Sequence, residues 1–327
     1  MNRITWTVAA AVGLASVIAC WFAAAQEARS GGAATSFTTS SASAPTTSSA
    51  PASQPVTFRV ASYNINYGVR DARSVASAVT ILRRSGADLI AVQEGSNELR
   101  QALARDLKKE YPYQNLKPGN GADGFALLSK TPLKNVTMLP KTAGGFFRTQ
   151  LADVELAPAD HKTLVRVCNV HLSPSLLQGR GVAADAAMLM KMEAVRVKEI
   201  QAILKKLPKD RPAVMLGDFN TVEALTVHGL LTSKGLIDSA RQVSPKDPSA
   251  RPQELPKEWP KDLPKEQPKA QPGDPPNTWH WNLNGTEWTF RVDYIFHTPH
   301  FRTTASQVFA EGPSDHYLIV SDLEIAE

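Results

Sequence analysis

Five apolar runs in this chain end in polar side chains that a strand does not need. Asn64 follows Phe58 to Tyr63, Glu94 follows Leu89 to Gln93, His171 follows Leu164 to Val170, Asp218 with Asn220 follows Ala213 to Gly217, and Asp293 falls within Arg291-Val292-Asp293-Tyr294. Asp315 and His316 stand as an adjacent pair near the C-terminus. One such residue is a strand cap; five in succession, all able to bind metal or phosphate, form a set. The set suits hydrolysis of a phosphate ester. That reaction needs a hard divalent cation with oxygen ligands, for which Glu94 beside Asn64 or Asn66 is suited. It needs a base for water, a part that His316 can play with Asp315 before it and Asp293 to orient it. His171 suits the acid that protonates the leaving oxygen, or a contact to a phosphoryl oxygen. Asp218 and Asn220 can hold water and phosphate, one as acceptor and the other partly as donor. Cys20 and Cys168 are the two cysteines, which excludes a Cys-rich zinc or iron–sulfur site and a disulfide framework. Neither a Gly-x-Ser-x-Gly elbow nor a Walker loop is present.

A helix face would scatter these side chains, whereas neighbouring strands bring their ends to one edge of a sheet. The chain from Val56 to Glu327 has that rhythm. Strands are expected at Phe58–Asn64, Asp88–Glu94, Gly124–Ser129, Thr149–Leu156, Thr163–Leu172, Ala213–Leu216, Trp288–His297, Ser306–Phe309 and Tyr317–Ile325. Helical spacing of Val75, Val79 and Leu82, stopped by Gly86, predicts one helix. Two more are expected over Asn97–Lys109 and Val182–Leu207. Cys168 lies in an apolar alternation and reads as a small buried thiol.

The remaining segments read as tethers and loops. Arg3 followed by the uncharged run Ile4–Gln26 reads as an export signal. The run is longer than the roughly 7–15 residues of a signal core and close to the about 20 that span a bilayer. Cleavage after Ala23–Ala25, retention as an anchor, and lipidation at Cys20 within Val17-Ile18-Ala19-Cys20, which resembles a lipobox, all fit. Each puts the rest of the chain outside the cytoplasm, with residues 1–29 as signal or anchor. Residues 30–57, rich in Ser, Thr, Ala and Pro, read as a disordered linker. The stretch 244–276 repeats Pro-Lys-Glu and Pro-Lys-Asp and reads as an extended surface insertion in a domain spanning 58–327. The formal charge of the whole chain is +5. That bias is compatible with a phosphate-bearing substrate and far below that of a dedicated nucleic-acid coat.

Seven pieces in order carry a resemblance: Ser62-Tyr63-Asn64-Ile65-Asn66, Val92-Gln93-Glu94, Gly124 to Ser129, Asn169-Val170-His171-Leu172, Gly217-Asp218-Phe219-Asn220, Arg291 to Phe296, and Ser314-Asp315-His316. With them the chain resembles the endonuclease/exonuclease/phosphatase superfamily, the deoxyribonuclease I-like proteins, from about Val56 to Glu327. The resemblance implies an α/β (α+β) four-layered α-β-β-α sandwich, two mixed β-sheets packed face to face with outer helices. It implies a Mg2+ site, with Mn2+ or Ca2+ as substitutes, at Glu94 and more loosely at Asn64, Asn66 and Asp315. It gives Asp218 and Asn220 to water and phosphate, His316 with Asp293 to a polarising pair, and His171 to the second histidine of several branches. The apurinic endonuclease branch usually lacks that histidine, which, with the export signal, argues against base-excision repair.

The activity implied is a metal-dependent phosphodiesterase, an extracytoplasmic nuclease working as a monomer on DNA or RNA and tethered to the membrane through its N-terminus. The alternatives are a phospholipid or inositol-phosphate hydrolase of sphingomyelinase type, acting on a phospholipid headgroup, and a non-catalytic binding module. Arg148, before the Thr149 strand, is a candidate phosphate contact or a packing residue. His161, His228, His280, His297 and His300 are expected to be ordinary surface or loop histidines. Trp288 is expected to be packed, and Trp279 and Trp281 are open between packing and a stacking platform.

Overall fold

Alternation along the strands decides which side chains meet in the middle of this molecule. In β1 (Thr57–Asn64), Phe58 and Val60 pack into the core between two sheets, while Ala61 and Tyr63 pack outward against helices. The period of two carries Ser62 and Asn64 onto the inner face with Phe58 and Val60. In β2 (Leu89–Gln93), Leu89 and Ala91 face inward and Ile90 and Val92 outward. In the computed structural model these strands belong to a six-stranded mixed sheet. Its other members are β3 (Tyr113–Lys117), β4 (Phe125–Ser129), β13 (Phe301–Phe309) and β14 (Leu318–Ile325), in the order β13-β14-β1-β2-β4-β3. The second sheet contains β5 (Leu133–Leu139), β6 (Thr149–Leu156), β7 (Thr163–His171), β8 (Ala213–Asp218), β9 (Ile237–Asp238) and β12 (Asp293–His297), in the order β5-β6-β7-β8-β12-β9. The structure describes residues 56–119, 121–156, 163–175, 182–243, 274–283 and 286–326.

Helices cover the outer faces. α1 (Ala72–Arg84) starts at Asp71, whose carboxylate accepts the Ser74 N–H, and ends before Gly86, which takes the left-handed φ of 64°. Its Val75, Ala78, Val79 and Leu82 lie on Tyr63, Ile90 and Val92 with Leu99 and Leu103 of α2 (Asn97–Asp106). On the other sheet, Ile200 and Ile203 of α3 (Val182–Leu204) and Val227 and Leu231 of α4 (Thr226–Ser233) cover Cys168, Val170 and Met215. A short α5 (Ser239–Val243) follows β9. The four-layered sandwich is thus the one the sequence leads to. Among the described residues no helix is long and apolar enough to cross a membrane.

Several elements depart from the sequence expectation. The run Trp288–His297 is not one strand. It breaks at Arg291-Val292 into β11 (Thr286–Phe290), which pairs with β10 (Trp279–Leu283) in a separate two-stranded sheet, and β12. Leu107 caps α2 and ends it short of Lys109, and α3 stops at Leu204. β3 and β5 were not anticipated, because their solvent-facing edges carry no clear apolar alternation. His228 and His297 are not surface histidines: both are buried, His228 against Asp238 and His297 against Thr303.

The signal or anchor, the lipobox cysteine Cys20, nearly all of the linker, His161 and residues 244–273 of the insertion lie outside the described residues. The flanks of the insertion are described: Arg241 of α5 donates to Asp274 at 2.9 Å and forms a two-pronged pair with Glu223. Because repeated proline provides neither helix nor ladder donors, replacing 244–273 with a short Gly/Ser linker is expected to change stability by no more than a surface substitution does, about 0.5 kcal/mol. A large fall in melting temperature would show that the insertion packs on the domain.

Candidate active site

Two parallel strand pairs, one in each sheet, bring their C-terminal ends to the same edge of the sandwich. β1 and β2 are parallel with Asn64 opposite Gln93, and β7 and β8 are parallel with His171 opposite Asp218. β12 runs antiparallel to β8 and puts Asp293 opposite Asp218. One row across the second sheet therefore reads His171, Asp218, Asp293, facing Asn64 of the first sheet. This edge gathers the residues scattered over the sequence, and four of them are almost fully buried: Asn64 at 1%, Asp218 at 1%, Asp293 at 2% and His171 at 3% exposure.

Turns finish the arrangement. Glu94, Asn66 and Asn220 have φ of 56°, 58° and 50°, the left-handed region that asparagine tolerates and glutamate seldom enters. The turn at Glu94 breaks the alternation of β2, so that its carboxylate receives the Asn64 amide at 3.2 Å and the Tyr67 N–H at 3.2 Å. Gly124 makes room for that turn, since a Cβ there would lie 2.1 Å from the Gly95 carbonyl oxygen. Strain held in place by such packing concentrates at functional sites.

Asp218 Oδ2 is the hub. It accepts from Asn64 Nδ2 at 2.9 Å and Asn220 Nδ2 at 3.1 Å, and lies 3.6 Å from His171 Nε2 and 3.8 Å from His316 Nε2. Asn220 is fixed in turn by donating to the Leu172 carbonyl at 2.9 Å. His316 Nδ1 donates to Asp293 Oδ2 at 2.9 Å, which leaves Nε2 facing Asp218. Ser314 Oγ positions that loop by donating to the Asn64 carbonyl at 2.8 Å and accepting the His316 N–H. His171 Nδ1 faces the Ala122 carbonyl at 3.2 Å, and because a carbonyl can only accept, Nδ1 donates and Nε2 is turned inward. Phe147 lies flat against the His171 ring, with centroids 3.8 Å apart and planes 11° apart.

Burial sets the electrostatics. It pushes Glu94 up to about 7 and Asp218 up to about 7, against the opposing charge of His316. It pulls His171 down to about 3, with the charge of His316 adding to the effect. Burial also acts to lower His316, but the Asp293 and Asp218 carboxylates outweigh it and hold the imidazolium up at about 10. Asp315 is held below the usual carboxylate range, burial being overcome by His316 and by hydrogen bonds from Asn66 and Trp279. Four carboxylates thus share a desolvated site with one cationic imidazole. The carboxylates fit a hard divalent cation: Glu94 Oε1 and Asp218 Oδ2 both lie 3.6 Å from His171 Nε2 and both accept from the Asn64 amide, at 3.2 and 2.9 Å.

The expected residues separate into two groups. Asn64, Glu94, His171, Asp218, Asn220, Asp293 and His316 form the connected cluster. Asn66 and Asp315 stand at its rim, bonded to each other at 2.9 Å, and Asp315 also accepts from Trp279 Nε1 at 3.2 Å. Arg148 is half-buried before β6, and among the described residues no hydrogen bond joins it to the cluster. Trp288 and Phe290 are buried against Leu189 and Val222, and Trp279, stacked on Phe290 and Trp281, joins that packing. The open choice for Trp279 therefore resolves toward packing and a bond to Asp315. Phe147, the Ala122 carbonyl and Thr278, whose hydroxyl accepts the Val292 and Asp293 N–H groups, were not anticipated. No spacing signal marks Phe147 or Ala122, because both reach the site from loops.

The matching family model is the Endonuclease/Exonuclease/phosphatase family, over residues 61–316. This chain belongs to that family. Solved structures with the same fold include an endonuclease/exonuclease/phosphatase from Beutenbergia cavernae DSM 12333, 18% identical with a TM-score of 0.54, covering 83% of this chain and 72% of its own. The D. rerio protein TDP2, solved in complex with a single-strand DNA product, is 15% identical with a TM-score of 0.54, covering 82% and 98%. The human Nocturnin catalytic domain, solved with a bound sulfate anion, is 17% identical with a TM-score of 0.53, covering 83% and 94%. No curated protein matches the chain in sequence.

Proposed function

We propose that this chain is a divalent-metal-dependent phosphodiesterase, and that its substrate is nucleic acid met outside the cytoplasm. The convergence of Asn64, Asn220, His171 and His316 on one buried carboxylate oxygen, Asp218 Oδ2, carries the hydrolytic reading. Asp218, raised into the neutral range, is suited to accept the proton of the attacking water. Asn220 and Asn64 fix the direction in which its lone pairs point. His316, cationic and aimed by Asp293, donates from Nε2 to a phosphoryl oxygen. His171, held by its Nδ1 on the Ala122 carbonyl, turns Nε2 toward Glu94 and Asp218, 3.6 Å from each, in place for the leaving oxygen or a phosphoryl oxygen. Glu94 and Asp218, with Asn64, Asn66 and Asp315 around them, would hold the cation, which would supply positive charge opposite the phosphate.

The choice of nucleic acid is supported by the shared fold with a protein solved on a DNA product. The extracytoplasmic setting and the membrane tether are supported by Arg3 and the apolar run after it. The test of activity is a panel of plasmid DNA, RNA, sphingomyelin, inositol phosphates and a bis-aryl phosphate, with Mg2+, Mn2+, Ca2+ or EDTA. Cleavage of DNA or RNA that EDTA abolishes is expected; equal activity in EDTA would overturn the metal requirement, and sphingomyelin or inositol phosphate as best substrate the nuclease reading. Glu94→Gln is expected to raise the Mg2+ concentration for half-activation by roughly 10–100-fold or more while the melting temperature holds. For location, a reporter active only in the cytoplasm, fused after Glu327, is expected to be silent; a strong signal would refute export.

A further inference from the structure

Directly beneath the site, the core between the sheets stops being apolar. Gln93, Gln150 and Asn169 are 0% exposed and Ser62 is 1% exposed. They form one chain of hydrogen bonds through the middle of the sandwich. Gln150 Nε2 donates to the Asn115 side chain at 2.9 Å, Asn169 Nδ2 to Gln150 Oε1 at 3.0 Å, Gln93 Nε2 to Asn169 Oδ1 at 2.7 Å, and Gln93 Nε2 also to Ser62 Oγ at 3.1 Å. Asn169 Nδ2 further reaches the Val92 and Ala126 carbonyls, both at 3.1 Å. Asn115, Gln93 and Ser62 belong to the first sheet, and Gln150 and Asn169 to the second. The chain therefore crosses between the sheets in both directions.

Its position decides what it does. Ser62 is two residues before Asn64, Gln93 is one before Glu94, and Asn169 is two before His171. Ser62, Gln93 and Asn169 thus each lie one step below a residue of the cluster, on the strand that leads to it, and Gln150 ties Asn169 to Asn115. Apolar faces attract without direction, so two sheets held by valines and leucines alone have no strong preference for one sliding position. Hydrogen bonds between buried amides do have direction, and leaving any of them unmade is unfavourable in a low-dielectric core. The bond most exposed to such sliding is the one from Asn64 of the first sheet to Asp218 of the second.

We propose that Gln93, Asn169 and Gln150 are positioning residues that set the sliding register of the two sheets, and with it the Asn64–Asp218 contact on which hydrolysis depends. The kinetic half of this rests on the hydrolytic reading above; the geometric half does not. Two variants test it. Gln93→Leu/Gln150→Leu/Asn169→Leu replaces the amides together with apolar groups of similar size, so that few partners are left unpaired; Gln93→Met removes the central link with a side chain of the same length. The expected result on a bis-aryl phosphate is a kcat lower by about 10- to 100-fold, as about 1 Å of misplacement costs, with KM within threefold in order of magnitude and the melting temperature of the triple variant unchanged or higher. A merely structural role would lower the melting temperature and spare kcat in whatever folds. If either folded variant keeps kcat within about twofold, the proposal is overturned.

A crystal structure of whichever variant folds gives the answer without activity: loss of the 2.9 Å Asn64–Asp218 hydrogen bond is expected, and its retention refutes the proposal. A wild-type chain inactive on the whole panel would refute hydrolysis instead, and the crystallographic result would still decide the register.

Discussion

His316→Ala is expected to lower turnover on a diester by a factor on the order of 10²–10³, the range for removing one preorganised donor to the reacting oxygen. The side chain is one half of a buried pair: Nδ1 donates to Asp293 Oδ2 at 2.9 Å, and the pairing aims Nε2 across the row at Asp218, 3.8 Å away. Asp293 sits opposite Asp218 in the strand register, and Thr278 fixes its backbone N–H. The carboxylate therefore has one evident task toward His316, to hold the ring in one tautomer and to support its charge. Residues that act as a unit give losses that do not multiply. Asp293→Asn alone is expected to cost a large part of what His316→Ala costs. Adding it to His316→Ala is expected to cost little more, because no imidazole is left to orient. The double-mutant cycle on a diester with a good leaving group decides the matter. Fully multiplicative losses would mean that the two residues work independently, and the pairing would have to be given up.

The largest expected effect on stability lies outside the cluster. Asp238→Asn is expected to destabilise the fold by about 3–5 kcal/mol, because it strips the main partner from a buried guanidinium. Asp238 is 3% exposed and binds Arg291 through one oxygen and His228 Nε2 through the other at 2.9 Å. Arg291 is buried, packed over the Tyr294 ring at 4.4 Å, and its other charged neighbour, Glu223, is 3.8 Å away. In a domain of this size the loss corresponds to a fall in melting temperature of roughly 6–20 °C. Burial alone would raise the Asp238 pKa, but the charge of Arg291 and the bonds from His228 and Arg291 hold the carboxyl well below the usual range. The sign for pH follows: a depressed carboxyl contributes its stability above its unfolded pKa and loses it as pH falls through the folded one. The wild-type melting temperature should therefore drop on acidification below about pH 4, and the drop should be smaller in Asp238→Asn. An unchanged melting temperature in the variant at neutral pH would show that Arg291 finds another partner without loss.

The residues that could do chemistry were legible from the chain itself. A strand that ends at an active edge must spend its last inward position on a functional side chain, and the period of two makes that position visible: Asn64 follows Val60 and Ser62 on one face, and His171 follows Val165, Val167 and Asn169. The strand–helix rhythm from Phe58 to Glu94 and from Thr163 to Leu216 was readable as well, since the helices leave their own apolar spacing between the strands, whereas the layered sandwich came from the family resemblance.

What the tertiary structure alone decided depends on contacts between segments far apart in sequence. Trp288–His297 reads as one apolar strand, and only the docking of Trp288 and Phe290 against α3 and the 222–225 loop, with Asp293 turned into the second sheet, breaks it at Arg291-Val292. His228 carries no local mark of burial; its place against Asp238 comes from the packing of α4 on β9 and β12. The same holds for the protonation of the site. Alternation brings His171 to the edge, but burial and the charge of His316 lower its pKa while the Asp293 and Asp218 carboxylates raise that of His316, because desolvation and charge pairing act through space and leave no periodic signature in the chain.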